Sequence, residues 1–342
     1  MASLDRRALL AAAPAALLAA CEPRMRTTAS TTPKIALAQM TDAVVAIAER
    51  ARPGVLGVGL SNLESGQVFF FNGERRFPMQ SVFKLPLAAA VLAEVDAGRV
   101  LLTERVFLLE PQLSVPYSPI AAAWPGRREY TVRELLDAVI VDSDNTAADV
   151  LMKRIGGPGA LMAWLTAQRV PEVRIDRYER EIQTEANGMA SYRPAWRTDA
   201  AFAAAREAVP PERRAAAHRA YMADPRDTAT PRGMIEFLQR LDKQELVSPA
   251  STRTLLQTMA RTPRGANRIR AGLPANAFLA HRPGTSGVDL GVSLAHNDVG
   301  IFTLPDKRSY ALAVFLSGST LDDAGRDRVI AQVAGAAVKA VG

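Results

Sequence analysis

The chain has 342 residues, 48% hydrophobic and 23% charged, proportions of a globular protein with a sizeable core rather than of a disordered or fibrous one. Its 42 Lys and Arg exceed its 35 Asp and Glu, giving a formal net charge of +7. The arginines are scattered rather than gathered into a stripe with aromatics, so the excess reads as a basic surface and no nucleic-acid partner is expected.

The chain opens on a targeting pattern. Asp5-Arg6-Arg7-Ala8-Leu9-Leu10 is a charged n-region and residues 11–20 are an apolar h-region too short to span a bilayer. Leu18-Ala19-Ala20-Cys21 resembles a bacterial lipobox, whose cysteine is lipidated and becomes the new N-terminus. Cys21 is the only cysteine, so no disulfide is available. The reading is a signal peptide with lipobox over 1–21 and a Ser/Thr/Pro-rich flexible tether over 22–33. It implies export by Sec or Tat and a periplasmic protein whose only membrane contact is an N-terminal lipid anchor.

Apolar positions at helical spacing (Ile35, Leu37, Met40, Val44, Ile47) predict a helix over 34–52, closed by Pro53-Gly54. Short apolar runs at 55–60 and 67–71 predict a β-hairpin. Helical patterning follows over 82–98, over 132–155 with a polar interruption at Ser143-Asp144-Asn145, and over 158–169; a Pro-rich loop separates the first two. Residues 184–226 are polar and Ala/Arg-rich, with short helices expected at 200–209 and 213–222. Helices at 230–241 and 249–259 precede strand-like runs at 277–281, 288–295, 300–304 and 310–317, and a helix over 322–341 closes the chain. Strands at both ends and helices between them predict one antiparallel sheet with a helical domain inserted.

Three polar stretches carry chemistry. Ser81-Val82-Phe83-Lys84 places a hydroxyl and an ammonium one helical turn apart, at a helix start whose free N–H groups favour a developing oxyanion. Flanking Phe83 and Leu85 would desolvate Lys84 and make its neutral form accessible as a proton acceptor. Ser143-Asp144-Asn145 offers a proton shuttle, a loop-holding carboxylate and an amide. Glu179 is a base able to activate water on an acyl-serine, with Gln183 one turn on to hold that water, and Arg177 has a candidate partner in Asp227. Each stretch alone also fits a bland reading: a capping serine beside a snorkelling lysine, an N-capping turn, a solvated charged loop.

Together they resemble the class A serine β-lactamases, for which SxxK and SDN motifs and a KTG motif are signatures. The likeness extends through Tyr117-Ser118-Pro119, residues 131–136, Ile155-Gly156-Gly157-Pro158, residues 227–231, residues 268–274 and Asn297-Asp298-Val299-Gly300. It implies an α/β fold of the α+β type: an antiparallel five-stranded sheet flanked by helices (34–75 and 234–342), an all-helical domain (76–233, with an extended loop 179–227), and an active site between them. It implies Ser81 as nucleophile, Lys84 and Glu179 managing its proton, Ser143 protonating the leaving nitrogen and Asn145 binding the substrate's side-chain amide. Backbone N–H groups of Ser81 and Thr285 would form the oxyanion hole, Tyr117 would line the cleft, Arg268 would pair with the substrate carboxylate, and Asp144, Arg177 and Asp227 would be structural. The expected partner is a small β-lactam, bound by a monomer without cofactor.

The sequence departs from that family in three places. Arg282-Pro283-Gly284 stands where Lys-Thr/Ser-Gly is usual; the proline lacks a hydroxyl and an N–H, with Thr285 and Ser286 as substitutes. Gln183 stands where Asn is usual, and the segment from Glu179 to Asp227 is several dozen residues longer than usual. Two alternatives therefore stand beside hydrolysis: a penicillin-binding serine acyltransferase that deacylates slowly, and a sensor that keeps the fold without turnover. His218, His281 and His296 lie in no metal-ligand spacing, so no metal is expected.

Overall fold

The computed structural model describes residues 34–342; the expected signal peptide, lipobox cysteine Cys21 and tether lie outside the described residues. The strands are β1 (Val55–Asn62), β2 (Val68–Phe71), β3 (Phe77–Pro78), β4 (Arg105–Phe107), β5 (Glu129–Thr131), β6 (Thr228–Ala229), β7 (Phe278–Thr285), β8 (His296–Thr303) and β9 (Ser309–Ser317). Five of them form one antiparallel sheet in the order β2-β1-β9-β8-β7, and β3–β6 and β4–β5 are small two-stranded ribbons.

The central strands are apolar on both faces, and each face has its own partner. Leu56, Val58 and Leu60 of β1 and Leu312, Val314 and Leu316 of β9 pack with the helices Leu37–Arg50 and Asp323–Val341. Each such fully buried side chain contributes about 1.5–3 kcal/mol relative to exposure. The intervening positions Gly57 and Gly59 of β1 carry no side chain, and they let neighbours on the second face approach closely. A Cβ on Gly57 would lie 2.4 Å from the Phe77 ring, and one on Gly59 would lie 2.6 Å from Ile235 of the helix Pro231–Asp242. On this second face Ala311, Ala313 and Phe315 join a core built around the helix Lys84–Asp96. That helix is buried on nearly every side along residues 84–92, as an all-apolar helix must be.

Two expectations change. The pattern at 288–295 is not a strand: Leu290 has φ 50°, Gly287 and Gly291 have φ 73° and 77°, and only isolated bridges form there. The helical run 132–155 is three pieces: a helix Val132–Asp137, a π-turn Ala138–Asp142 and a helix Asn145–Arg154. The Thr131/Glu134 capping box starts the first, and the Asp144 carboxylate, accepting from the Ala147 N–H at 2.8 Å, starts the last. The long segment between Glu179 and Asp227 opens on the helix Glu179–Ala186 and holds two further α-helices, Asp199–Glu207 and Pro211–Ala223, close to the expected bounds.

Candidate active site

Ser81 lies in a 3-10 turn, Gln80–Phe83, that runs directly into the helix Lys84–Asp96. The β3–β6 ribbon fixes the chain just before it, and Met79 donates its N–H to the Asp227 carbonyl at 3.0 Å. On the other side edge strand β7 presses close, at Gly284, where a Cβ would stand 2.4 Å from the Met79 carbonyl oxygen. Only glycine lets β7 reach the Ser81 turn so nearly. Because β7 is an edge strand, Pro283 is tolerated within it.

Lys84 is fully buried and its Nζ reaches Ser81 Oγ at 3.2 Å, the Ser143 carbonyl at 2.8 Å, Ser143 Oγ at 3.3 Å and Asn145 Oδ1. Ser143 Oγ stands 3.0 Å from Ser81 Oγ, so three proton-carrying atoms meet within hydrogen-bond reach. Burial pushes the Lys84 ammonium down to about 8, against the pull of Glu179 and with a further push from Arg282. Ser143 holds its place with φ 63°, a left-handed conformation sustained by its neighbours. Asp144 next to it accepts from Ser118 Oγ and the Ile120 N–H, and burial raises its pKa despite these bonds.

Arg282 has no exposed surface and each nitrogen has an acceptor: the Ser81 carbonyl at 2.9 Å, the Ile140 carbonyl at 2.8 Å and Ser143 Oγ at 2.5 Å. Burial first, then Arg264, pushes its pKa down to about 9, which leaves it charged at neutral pH. Arg268 is likewise committed, to Asp327 at 3.0 Å, the Asn297 carbonyl at 2.8 Å and Thr285 Oγ1 at 2.7 Å. Ser286 spends its hydroxyl on its own loop, accepting from the Leu294 and Ala295 N–H groups and donating to the Gly287 carbonyl. Of the two substitutes for the missing motif hydroxyl, Thr285 is the more exposed.

Glu179 opens the helix Glu179–Ala186 and is buried, 1% exposed. Asp149, buried in the helix Asn145–Arg154, accepts the Glu179 N–H at 2.6 Å and so sets where this helix starts. Glu179 Oε1 accepts from Gln183 Nε2 at 2.8 Å, while Oε2 is buried with no hydrogen-bond partner among the described residues. Burial raises the Glu179 pKa, opposed by Lys84 and by the Gln183 bond. Arg177 donates to Asp227 at 2.5 Å, and the Asp176 and Arg177 N–H groups cap the same carboxylate, joining the two ends of the long segment.

Ser81, Ser143, Asn145, Glu179, Gln183, Tyr117, Arg268, Thr285 and Ser286 thus line a single cleft of about 410 Å³. Arg264 lines it too, its guanidinium 4.5 Å from the centroid of the Tyr117 ring. Beside it a smaller cavity of about 270 Å³ is walled by Phe202 and Arg206 of the inserted helix Asp199–Glu207. Sequence reasoning missed Asp149, Gln80 and Arg264. A lone acid on the apolar side of 145–154 was the available signal for Asp149.

Comparison with known proteins decides the family. The sequence pattern of the β-lactamase enzyme family matches residues 37–341. The chain belongs to that family. It is 30% identical to the extended-spectrum β-lactamase PER-1 of Pseudomonas aeruginosa over 85% of this chain and 82% of that one. A β-lactamase crystal structure from Chitinophaga pinensis superposes with a TM-score of 0.73 at 31% identity, covering 89% of this chain and 99% of that one. An ancestral class A β-lactamase gives 0.72 at 33% identity, over 88% and 99%. This β-lactamase is therefore a class A serine enzyme that hydrolyses β-lactams, on the mixed α/β fold the motifs implied.

Proposed function

We propose that this β-lactamase opens the lactam through an acyl-enzyme on Ser81 and clears it with water activated by Glu179. The observation that carries the reading is the meeting of Ser81, Lys84 and Ser143 within 3.3 Å, in the cleft that Glu179 also lines. Neutral Lys84 takes the Ser81 proton as Oγ attacks the lactam carbonyl, and Ser143 passes a proton to the departing nitrogen. Glu179 Oε2, buried without a hydrogen-bond partner among the described residues, is the acceptor for the proton of the hydrolytic water. Backbone N–H groups of Ser81 and Thr285 take the oxyanion, Asn145 the side-chain amide, and the Thr285 hydroxyl, held by Arg268 whose charge faces the same cleft, the carboxylate that Pro283 cannot hold. A chromogenic cephalosporin tests this against the acyltransferase alternative: steady colour release at many equivalents is expected, and a burst that stops at one equivalent contradicts it.

The pH dependence has a defined sign. Glu179 works as carboxylate, and burial raises its pKa, so kcat falls as pH drops through a value above the ordinary glutamate range. The Gln183 hydrogen bond lowers that pKa, so Gln183→Leu moves the acid limb of kcat upward. An unmoved limb speaks against Glu179 as the titrating base.

The mature protein works in the periplasm as a monomer, anchored by lipid on Cys21, a reading supported by the lipobox-like Leu18-Ala19-Ala20-Cys21 and the single cysteine. Metabolic labelling with a tritiated fatty acid is expected to tag the wild type and not Cys21→Ala. An unlabelled wild type contradicts the anchor.

A further inference from the structure

The helix Pro211–Ala223 belongs to the extended segment, yet it reaches the reaction centre through a line of hydrogen-bonded side chains. Gln80 Nε2 donates to the Tyr221 hydroxyl at 2.7 Å, Gln183 Nε2 donates to Gln80 Oε1 at 3.0 Å, and the same Gln183 nitrogen donates to Glu179 Oε1 at 2.8 Å. Tyr221 is 4% exposed and Gln80 3%. We propose that Tyr221 is a positioning residue for deacylation, holding Glu179 and the carbonyl of Gln183 in their working orientation through Gln80. The inference rests on the reading of Glu179 as the base that activates water.

The direction of the relay follows from what each group can do. A carboxylate only accepts, so Gln183 must turn its NH₂ toward Glu179. That nitrogen has a second hydrogen, which Gln80 Oε1 takes. Gln80 must then turn its own NH₂ the other way, where the phenolic oxygen of Tyr221 accepts it. With both hydrogens spent, Gln183 has its carbonyl left for the water that Glu179 deprotonates. The extra methylene of Gln183 relative to the family's Asn gives it the reach to touch Gln80 as well as Glu179. Gln80 itself sits at φ 46°, a left-handed conformation uncommon for glutamine, so its side chain is held at both ends rather than placed by an easy backbone. The extended segment is thereby coupled to the step that releases product and not to the step that forms the acyl-enzyme.

Tyr221→Phe removes one oxygen, keeps the ring, and leaves the buried Gln80 NH₂ without its acceptor. For an acyl-enzyme cycle a slower deacylation lowers kcat and KM by the same factor and leaves kcat/KM unchanged. The expected result is a fall of about tenfold in both, with the acyl-enzyme accumulating on intact-mass analysis during turnover of a penicillin. Gln80→Leu cuts the next link and is expected to give the same signature, and the double variant to be no worse than Gln80→Leu alone. A loss of kcat with KM unchanged and no accumulated adduct is what a purely structural tyrosine would give, and it overturns the proposal. Additive effects in the double variant overturn it too. Glu179→Gln separates the two levels: if it traps adduct while Tyr221→Phe does not, the relay fails and the base stands; if neither traps adduct, the role of Glu179 fails first.

Discussion

Glu179→Gln is expected to acylate and then stall, with turnover reduced roughly 10²–10⁴-fold, the usual worth of a positioned general base. The substitution preserves volume and keeps an oxygen for the Gln183 N–H, so the helix start that Asp149 anchors has no reason to move. What it removes is the acceptor at Oε2, the Glu179 oxygen with no hydrogen-bond partner among the described residues. It also removes the charge that holds the Lys84 pKa up, so the lysine stays available as a neutral base for attack. Stopped-flow kinetics with a chromogenic cephalosporin should show a first equivalent released and then near silence. Turnover within tenfold of wild type would mean that another group primes the water.

Arg177→Ala is expected to carry the largest stability cost, about 3–5 kcal/mol, because it strands a buried carboxylate. Asp227 is 2% exposed and Arg177 5%, and their 2.5 Å contact closes the long segment at its base. Arg177 also reaches Glu185 and, at 3.5 Å, Asp224, so one guanidinium holds three acids. Without it Asp227 keeps only two backbone N–H donors for Oδ1. Burial already raises the Asp227 pKa and Arg177 opposes that rise, so removing the arginine raises it further. A carboxyl with a raised folded-state pKa costs stability where it is ionised, so the deficit should be full at neutral pH and shrink as acid protonates Asp227. Thermal unfolding of both proteins at neutral and mildly acidic pH measures this, with a drop in Tm of roughly 5–8 °C at neutral pH. A deficit below about 1 kcal/mol, typical of exposed pairs, would show that the latch is solvated and dispensable.

The sheet was legible in the sequence because its strands are apolar on both faces and bounded by turns, and because the helices around it carry regular spacing. The run 288–295 misled for a definite reason. Val288, Leu290, Val292 and Leu294 alternate as a strand should, but two left-handed glycines and Leu290 turn the backbone, and Val288 and Leu290 end 49% and 43% exposed. Alternation reports which side chains share a face only if the chain is extended, and it cannot report that extension. The motif residues were legible through spacing and resemblance. Their supports were not: Gln80 meets Tyr221 across 141 positions, and Asp149 meets the Glu179 N–H across 30. Such contacts are set by how separate helices pack, and no local pattern encodes them. Arg264 lies in a loop with neither periodicity nor motif, and only the cleft gives it meaning.

The most direct test is time-resolved intact-mass spectrometry of the wild type mixed with a penicillin, followed by peptide mapping. The expected result is a transient adduct of the full drug mass, located on Ser81, that decays as the hydrolysed product appears. Turnover without any adduct on Ser81 at the earliest times and saturating drug, or an adduct on another residue, would contradict the account.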